Sequence, residues 1–254
     1  MFDLCKIITK HKVYLAGDIF QNIFDNASED ELEVDVILNK CYRTDPRTLM
    51  FSHAIGMGLF EQQRFNWLTD KQWEAMGYTI KRNGEHIHFY RESIRRFEEL
   101  EVENVQSMFI EKYKDKSQII DIIKNIKHEN PTVTPNDIAI IMLDSDNSIY
   151  NYIDELGYKI LENLGWSINR AYDSKNKIND TLFVSNKNNV KGLEFPFVIC
   201  IASSIQNNHA FRNSLYTMLT RSFLQSYLLI DNDTGIDIQK EGLAIINEDK
   251  CITR

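Results

Sequence analysis

Apolar residues follow two rhythms along this chain. Continuous runs at 138–143 (Ile-Ala-Ile-Ile-Met-Leu) and 195–201 (Phe-Pro-Phe-Val-Ile-Cys-Ile) have the length and unbroken character of strands covered on both faces. Shorter runs at 13–16, 182–184 and 227–230 predict further strands, and 34–38 has β character. Between the runs the spacing becomes helical. Residues 148–164 set Ile149, Tyr152, Ile153, Leu156, Ile160, Leu161 and Leu164 on one stripe, with Gly165 as the stop. Residues 117–128 carry five isoleucines at similar spacing, and 209–221 place Phe211, Leu215, Met218 and Leu219 towards a core. Asp45-Pro46 predicts a helix start, aspartate as N-cap and proline at the first helical position, for a helix over 47–60. Strand and helix alternation of this kind predicts an α/β fold, a parallel sheet flanked by helices with right-handed crossovers. One stretch breaks the rhythm. Residues 78–81 and 86–90 alternate polar and apolar around Arg82-Asn83-Gly84-Glu85, and Asn-Gly predicts a hairpin that packs on the sheet or forms a small subdomain.

Composition sets bounds without naming a function. The 254 residues are 43% hydrophobic and 26% charged, which suits one large globular domain or one domain plus a fragment. No apolar run reaches membrane-spanning length, and the start Met-Phe-Asp-Leu-Cys has no signal core. The four cysteines show no Cys-x-x-Cys spacing, so reduced thiols in a cytoplasmic protein are expected. A net charge of −8 argues against a general electrostatic nucleic-acid binder. It leaves room for a domain that touches a single strand along one groove.

Candidate chemistry gathers around 186–200. There Lys191-Gly192-Leu193-Glu194 turns directly into the buried run beginning at Phe195. Glycine permits positive φ or close backbone approach, and a carboxylate at a strand's edge accepts hydrogen bonds from a ligand's hydroxyls. Lys191-Gly192-Leu193-Glu194-Phe195 resembles motif V of the UvrD/Rep-type superfamily 1 helicases. Three more stretches fall in that family's order: Gly17-Asp18-Ile19-Phe20-Gln21-Asn22-Ile23-Phe24 resembles motif III, Cys41-Tyr42-Arg43-Thr44 motif IV, and 212–222, with Tyr216 and Thr220-Arg221, motif VI. The resemblance runs from about 13 to 230.

The resemblance implies a second RecA-like motor domain that works on ATP with Mg2+ held between two domains. It divides the chain into the tail of a first ATPase domain at 1–30 and a second RecA-like domain at 31–254, with an insertion at about 62–133. No Gly-x-x-x-x-Gly-Lys-Ser/Thr loop and no Asp-Glu box is present. The expectation is therefore a piece of a longer protein or a truncated gene, inactive alone, whose missing N-terminal ATPase domain binds the phosphates and the metal. By the resemblance, Arg43 and Arg221 meet the γ-phosphate as arginine fingers, and Gln21 senses it. Tyr42 stacks on adenine, Glu194 holds the ribose and Gly192 lets the backbone approach. The plainer alternative for each arginine is a surface ion pair worth up to about 1 kcal/mol.

The implied partner is single-stranded or duplex DNA, with RNA not excluded, and no membrane. Here the chain departs from the pattern. Asn186 and Asn188 stand where motif V has Thr-x-His, and the base-stacking aromatics after motif III shrink to Phe24. Those departures motivate an alternative, a non-catalytic module that keeps the fold to bind nucleic acid or protein. Trp67 and Trp166 are candidate stacking platforms or, more simply, core residues. Three patterns are set aside. Asp144 after the 138–143 run mimics a Walker B strand, but no phosphate loop precedes it. His86-x-His88 lacks a third ligand at metal spacing, so no metal site is expected. Gly56-Met57-Gly58 has Glu61 where a dinucleotide fingerprint needs glycine.

Overall fold

The computed structural model describes residues 41–65, 68–91, 106–144, 146, 148–174, 176–232 and 234–254. The strand expected at 13–16, the motif at 17–24 with Gln21 and Phe24, the 26–33 linker, the 34–38 stretch and Trp67 lie outside them. So does the 1–30 tail. In chain order the elements are α1 (Pro46–Met57), α2 (Asp70–Ala75), β1 (Tyr78–Asn83), β2 (His86–Arg91), β3 (Met108–Lys112), α3 (Lys116–Glu129), β4 (Ile138–Met142) and α4 (Ser148–Leu164). There follow β5 (Ser167–Arg170), α5 (Ala171–Ser174), β6 (Thr181–Asn186), β7 (Phe195–Ala202), α6 (His209–Leu219), β8 (Ser222–Ile230), α7 (Ile236–Asp249) and β9 (Cys251–Thr253).

Six strands form one sheet in the order β3-β8-β7-β4-β6-β5, and every pairing in it is parallel. Parallel strands need helical crossovers, and these cover both faces. Ile138, Ile140 and Met142 of β4 face α3 and α4, where the isoleucines of 119–126 meet Ile153, Leu156 and Ile160. Ala139 and Ile141 face the other way, onto α1, α6 and α7. This is the α/β parallel sheet that the alternation predicts. Of the insertion expected at 62–133, β3 and α3 belong to this sheet and its cover. Outside the main sheet stand β1 and β2 of that stretch, together with β9 at the end of the chain.

Strand β7 contains an irregularity. Its register with β8 shifts between Phe195 and Phe197, so Pro196 sits at a bulge. Proline has no ladder donor, and a bulge is where a strand interior tolerates it. Two residues of β8, Phe223 and Leu224, stand against Pro196 alone; Phe195 lies on the same face as Val198 and Cys200, while Phe197 and Ile199 face the opposite core.

The hairpin forms as Asn83-Gly84 predicts, and β2 also pairs antiparallel with β9, making a separate three-stranded sheet, β1-β2-β9. Its inner face, with Tyr78, Phe89 and Ile252, packs onto the α1/α6/α7 core. Helix α1 starts where the sequence places it: Asp45 accepts from the Arg47 N–H at 3.0 Å, and Pro46 is in the first turn. The helix is buried on nearly every side. Inside this layer the His53 ring stacks on Tyr216 at 5.0 Å, and its Nδ1 lies 2.7 Å from the Tyr78 hydroxyl. Burial, helped by the Arg91 guanidinium, pushes the His53 imidazole down to about 3. Cys41, Cys200 and Cys251 form no disulfide. Among the described residues no helix is long and apolar enough to cross a membrane.

Candidate functional site

Three stretches far apart in sequence meet at the amino ends of β7 and β8. Thr44 donates its hydroxyl to the Thr220 carbonyl at 3.2 Å. The Phe195 N–H donates to the Arg221 carbonyl at 3.0 Å. Arg43 Nη1 donates to Glu194 Oε1 at 2.7 Å. The motif IV, V and VI resemblances thus lie side by side at one end of the sheet, tied by three hydrogen bonds.

Local polar contacts hold the motif IV segment there. The Asp45 carboxylate caps α1 and also accepts from the Ser107 hydroxyl at 2.6 Å. Thr48 donates to the Ser107 carbonyl at 2.9 Å, and the Ser226 N–H of β8 donates to that same carbonyl at 2.8 Å. All of these groups are buried, so each bond also avoids the penalty of an unmade one. The sequence read Asp45 as a cap; its second role needs Ser107, 62 residues away, which no local pattern shows.

The named side chains at this end differ in exposure. Tyr42 is 68% exposed, its ring open to solvent. Arg43 and Glu194 are 31% and 48% exposed at the side chain, so their pair is half in water. Gly192 has φ +88 in a turn closed by the Leu193 N–H on the Val190 carbonyl at 3.0 Å, and no atom stands within 4 Å of a Cβ added there. Glycine is needed for the backbone angle, and the space beside it is open. Arg221 lies past the end of α6 rather than within it. It is 3% exposed, and its Nε donates to the Thr217 carbonyl at 3.1 Å. In this conformation it lies along the helix end instead of projecting from the sheet's edge.

Sequence reasoning passed over Lys177, in the loop before β6. Its Nζ donates to the Glu194 carbonyl at 2.6 Å and sits 3.8 Å from the Phe195 ring centroid. Burial lowers its pKa. Nothing in Asn176-Lys177-Ile178 marks it; only the return of β6 beside the motif V turn does so.

Asn186 and Asn188 are elsewhere. Asn186 ends β6 level with Met142, which is in turn level with Ile201 near the end of β7, so both asparagines belong to the carboxyl edge. Asn186 Oδ1 accepts from the Asn188 N–H at 3.0 Å, closing a short turn. The segment 187–194 then runs back across the sheet face, with Val190 buried in the core and Leu193 packed on it. Asp144 lies at the carboxyl edge too. It accepts from the Ser203 N–H at 2.7 Å and the Ser203 hydroxyl at 3.1 Å, a lock on the turn after β7. Trp166 packs on the α3/α4 core with Lys127 Nζ 4.6 Å from its ring centroid.

Arg212 belongs to the motif VI resemblance, but it is a structural residue. It is fully buried, and all five N–H groups find acceptors. Nε donates to the Gln206 carbonyl; Nη1 to the Ile55 carbonyl and Glu61 Oε1; Nη2 to Glu61 Oε2 and Asn207 Oδ1, all at 2.7–2.9 Å. This forked geometry joins α6 to the chain just after α1. Glu61, set aside above as a misplaced fingerprint position, is the carboxylate that makes it possible.

The amino end thus presents an open aromatic ring, a half-exposed carboxylate and a partly exposed guanidinium. Metal-binding chemistry is not found beside it. No group of three His, Cys, Asp or Glu among the described residues is placed to hold a metal ion.

Comparison with curated proteins gives no match. A solved structure, the C-terminal domain of a possible DNA helicase from Lactobacillus plantarum WCFS1, is similar at 16% identity over 75% of this chain and 87% of that one, with a TM-score of 0.42. Residues 181–229, from β6 through the glycine turn and β7 into β8, match the family model of the UvrD-like helicase C-terminal domain. Over that stretch, and there alone, the chain is similar in sequence to a UvrD-like helicase C-terminal domain.

Proposed function

We propose that this domain is the second motor domain of an ATP-dependent DNA helicase or translocase. It supplies Arg43 and Arg221 to the γ-phosphate of ATP held by a phosphate-loop domain of the intact protein, where Gln21 senses that phosphate. Tyr42 stacks on the base, and Glu194 takes the ribose hydroxyls beside the Gly192 turn. The reading rests on one observation, the hydrogen-bonded meeting of residues 43–44, 194–195 and 220–221 at one end of the sheet. Magnitudes favour exchange there. An ion pair as exposed as Arg43–Glu194 is worth at most about 1 kcal/mol, so a triphosphate displaces it readily. An arginine finger, in contrast, contributes roughly 10³–10⁵ in rate. Arg221 would turn out from Thr217 as the domains close. Nucleic acid would lie along the other edge, near Asn186 and Asn188, and Phe24 would stack on its bases. Magnesium is held by the partner domain.

In the intact protein, Arg43→Ala and Arg221→Ala each lower DNA-stimulated ATP turnover by about 10³–10⁵. Wild-type turnover in both variants would overturn the reading. The burial of Arg221 favours a second reading, a non-catalytic module that retains the fold to bind nucleic acid or a protein. It predicts no ATP turnover in the intact protein at all.

A further inference from the structure

On the face of the β1-β2-β9 sheet turned away from the core, Lys81 and His86 are exposed, His88, Tyr90 and Thr253 are half-buried, and Cys251 is buried. Register places Thr79, Lys81 and Asn83 of β1, His86, His88 and Tyr90 of β2, and Cys251 and Thr253 of β9 on one side, opposite the face that packs on the core. In a chain with 37 acidic and 29 basic residues, this face has no carboxylate. Among the described residues, acids stand at its margins, Glu85 in the hairpin turn and Asp249 beside Tyr90.

Three rings stand in a row along β2. His86 and His88 have centroids 6.4 Å apart, and His88 and Tyr90 6.3 Å, with planes tilted by 46° and 33°. Each gap is close to two stacking distances of about 3.4 Å, the rise between stacked bases. It therefore admits one flat ring, once rotation about the soft terminal torsion brings the planes parallel. His88 is held upright by the Thr253 hydroxyl at 3.0 Å from its Nδ1. At the far end, Lys81 Nζ lies 4.9 Å from the Tyr90 ring centroid, a cation beside the row.

We propose that this face binds single-stranded nucleic acid. Two consecutive bases insert between His86 and His88 and between His88 and Tyr90, with Lys81 on the phosphate between them. Aromatic rows paired with cations bind single strands in this way without reading sequence, because every base has a π face. A duplex keeps its bases stacked on each other and cannot enter. The surface belongs to the three-stranded sheet, not to the six-stranded sheet whose amino end carries the site described above.

The test is fluorescence anisotropy of a dye-labelled oligothymidylate titrated with this chain, with no nucleotide and no second domain present. Tyr90→Ala and His88→Ala each weaken binding by about 5- to 150-fold, Tyr90→Phe stays within about twofold, and unlabelled duplex fails to compete. Oligouridylate binding as well as oligothymidylate shows that the sugar plays no part, as base stacking requires. If His88→Ala were to misfold, His86→Ala at an exposed position and Tyr90→Phe, which keeps the ring, still decide the matter. Wild-type affinity in the ring variants, equal competition by duplex, or no binding by the wild type overturns the proposal and leaves the motor reading standing.

Discussion

Two arginine–glutamate pairs among the described residues differ in what surrounds them. Arg43–Glu194 joins the segment before α1 to the turn before β7 at the amino end of the sheet, with both side chains partly in water. Arg212–Glu61 joins α6 to the turn after α1, with the arginine fully buried and the glutamate 18% exposed. The contact distance is 2.7 Å in both. Geometry alone therefore does not separate a replaceable pair from a permanent one; desolvation does. The exposed pair gives up little when broken, while the buried one leaves a charge stranded away from water.

Substitutions separate the two pairs, and the largest effect is kinetic. Arg43→Ala in the intact protein is expected to raise the barrier to ATP hydrolysis by about 4–7 kcal/mol, read as turnover, while its melting temperature barely moves. Arg212→Ala reverses the pattern. It is expected to cost about 3–5 kcal/mol of folding stability, a fall of about 6–20 °C in melting temperature by calorimetry. Arg212→Lys keeps the charge but loses the fork, and falls between wild type and alanine.

Acid attacks the same interior. The His53 imidazole titrates near 6.5 when unfolded and at about 3 in the folded protein. Between those values the unfolded chain binds the extra proton, so stability rises with pH there, is complete above about 6.5 and declines below it. Denaturant unfolding at pH 5 should give about 2 kcal/mol less stability from this group than at pH 7. A wild-type pH dependence retained in His53→Gln would refute the assignment. The smallest effect belongs to Glu194→Gln, at most about 1 kcal/mol of stability, or about 4 °C in melting temperature. A larger loss would mean that the exposed pair is structural after all.

What the sequence made legible follows the same division between local and distant causes. The runs at 138–143 and 195–201, the helix over 148–164, the Asp45-Pro46 cap and the Asn-Gly hairpin announce themselves within short continuous stretches, and all are found. The helix expected at 209–221 stops at Leu219, because Thr220 and Arg221 turn the chain into β8. Edge strand β3 was missed: Met-Phe-Ile-Glu-Lys is short and half exposed, and only its pairing with β8 makes it a strand. Helix α7 was missed as well. It carries Gly242 mid-helix, where a Cβ would lie 2.5 Å from the Phe60 ring, so a residue that reads as a breaker is the space for a distant aromatic. At the candidate site, Arg43, Glu194 and Arg221 are found at one end through a resemblance. The inward role of Arg212 needed Glu61, 151 positions away, and periodicity carries no information at that range.

The Pro196 bulge also limits how the glycine turn can be transplanted. Phe195, the first residue of the strand, stands in one phase, and the strand from Phe197 onwards alternates in the other. A graft of the five residues 191–195 onto a regular strand would arrive half a period out of step. Its phenylalanine would press into the α3/α4 layer, and the preceding carboxylate would swing to the wrong side. The portable unit is the turn together with its irregularity.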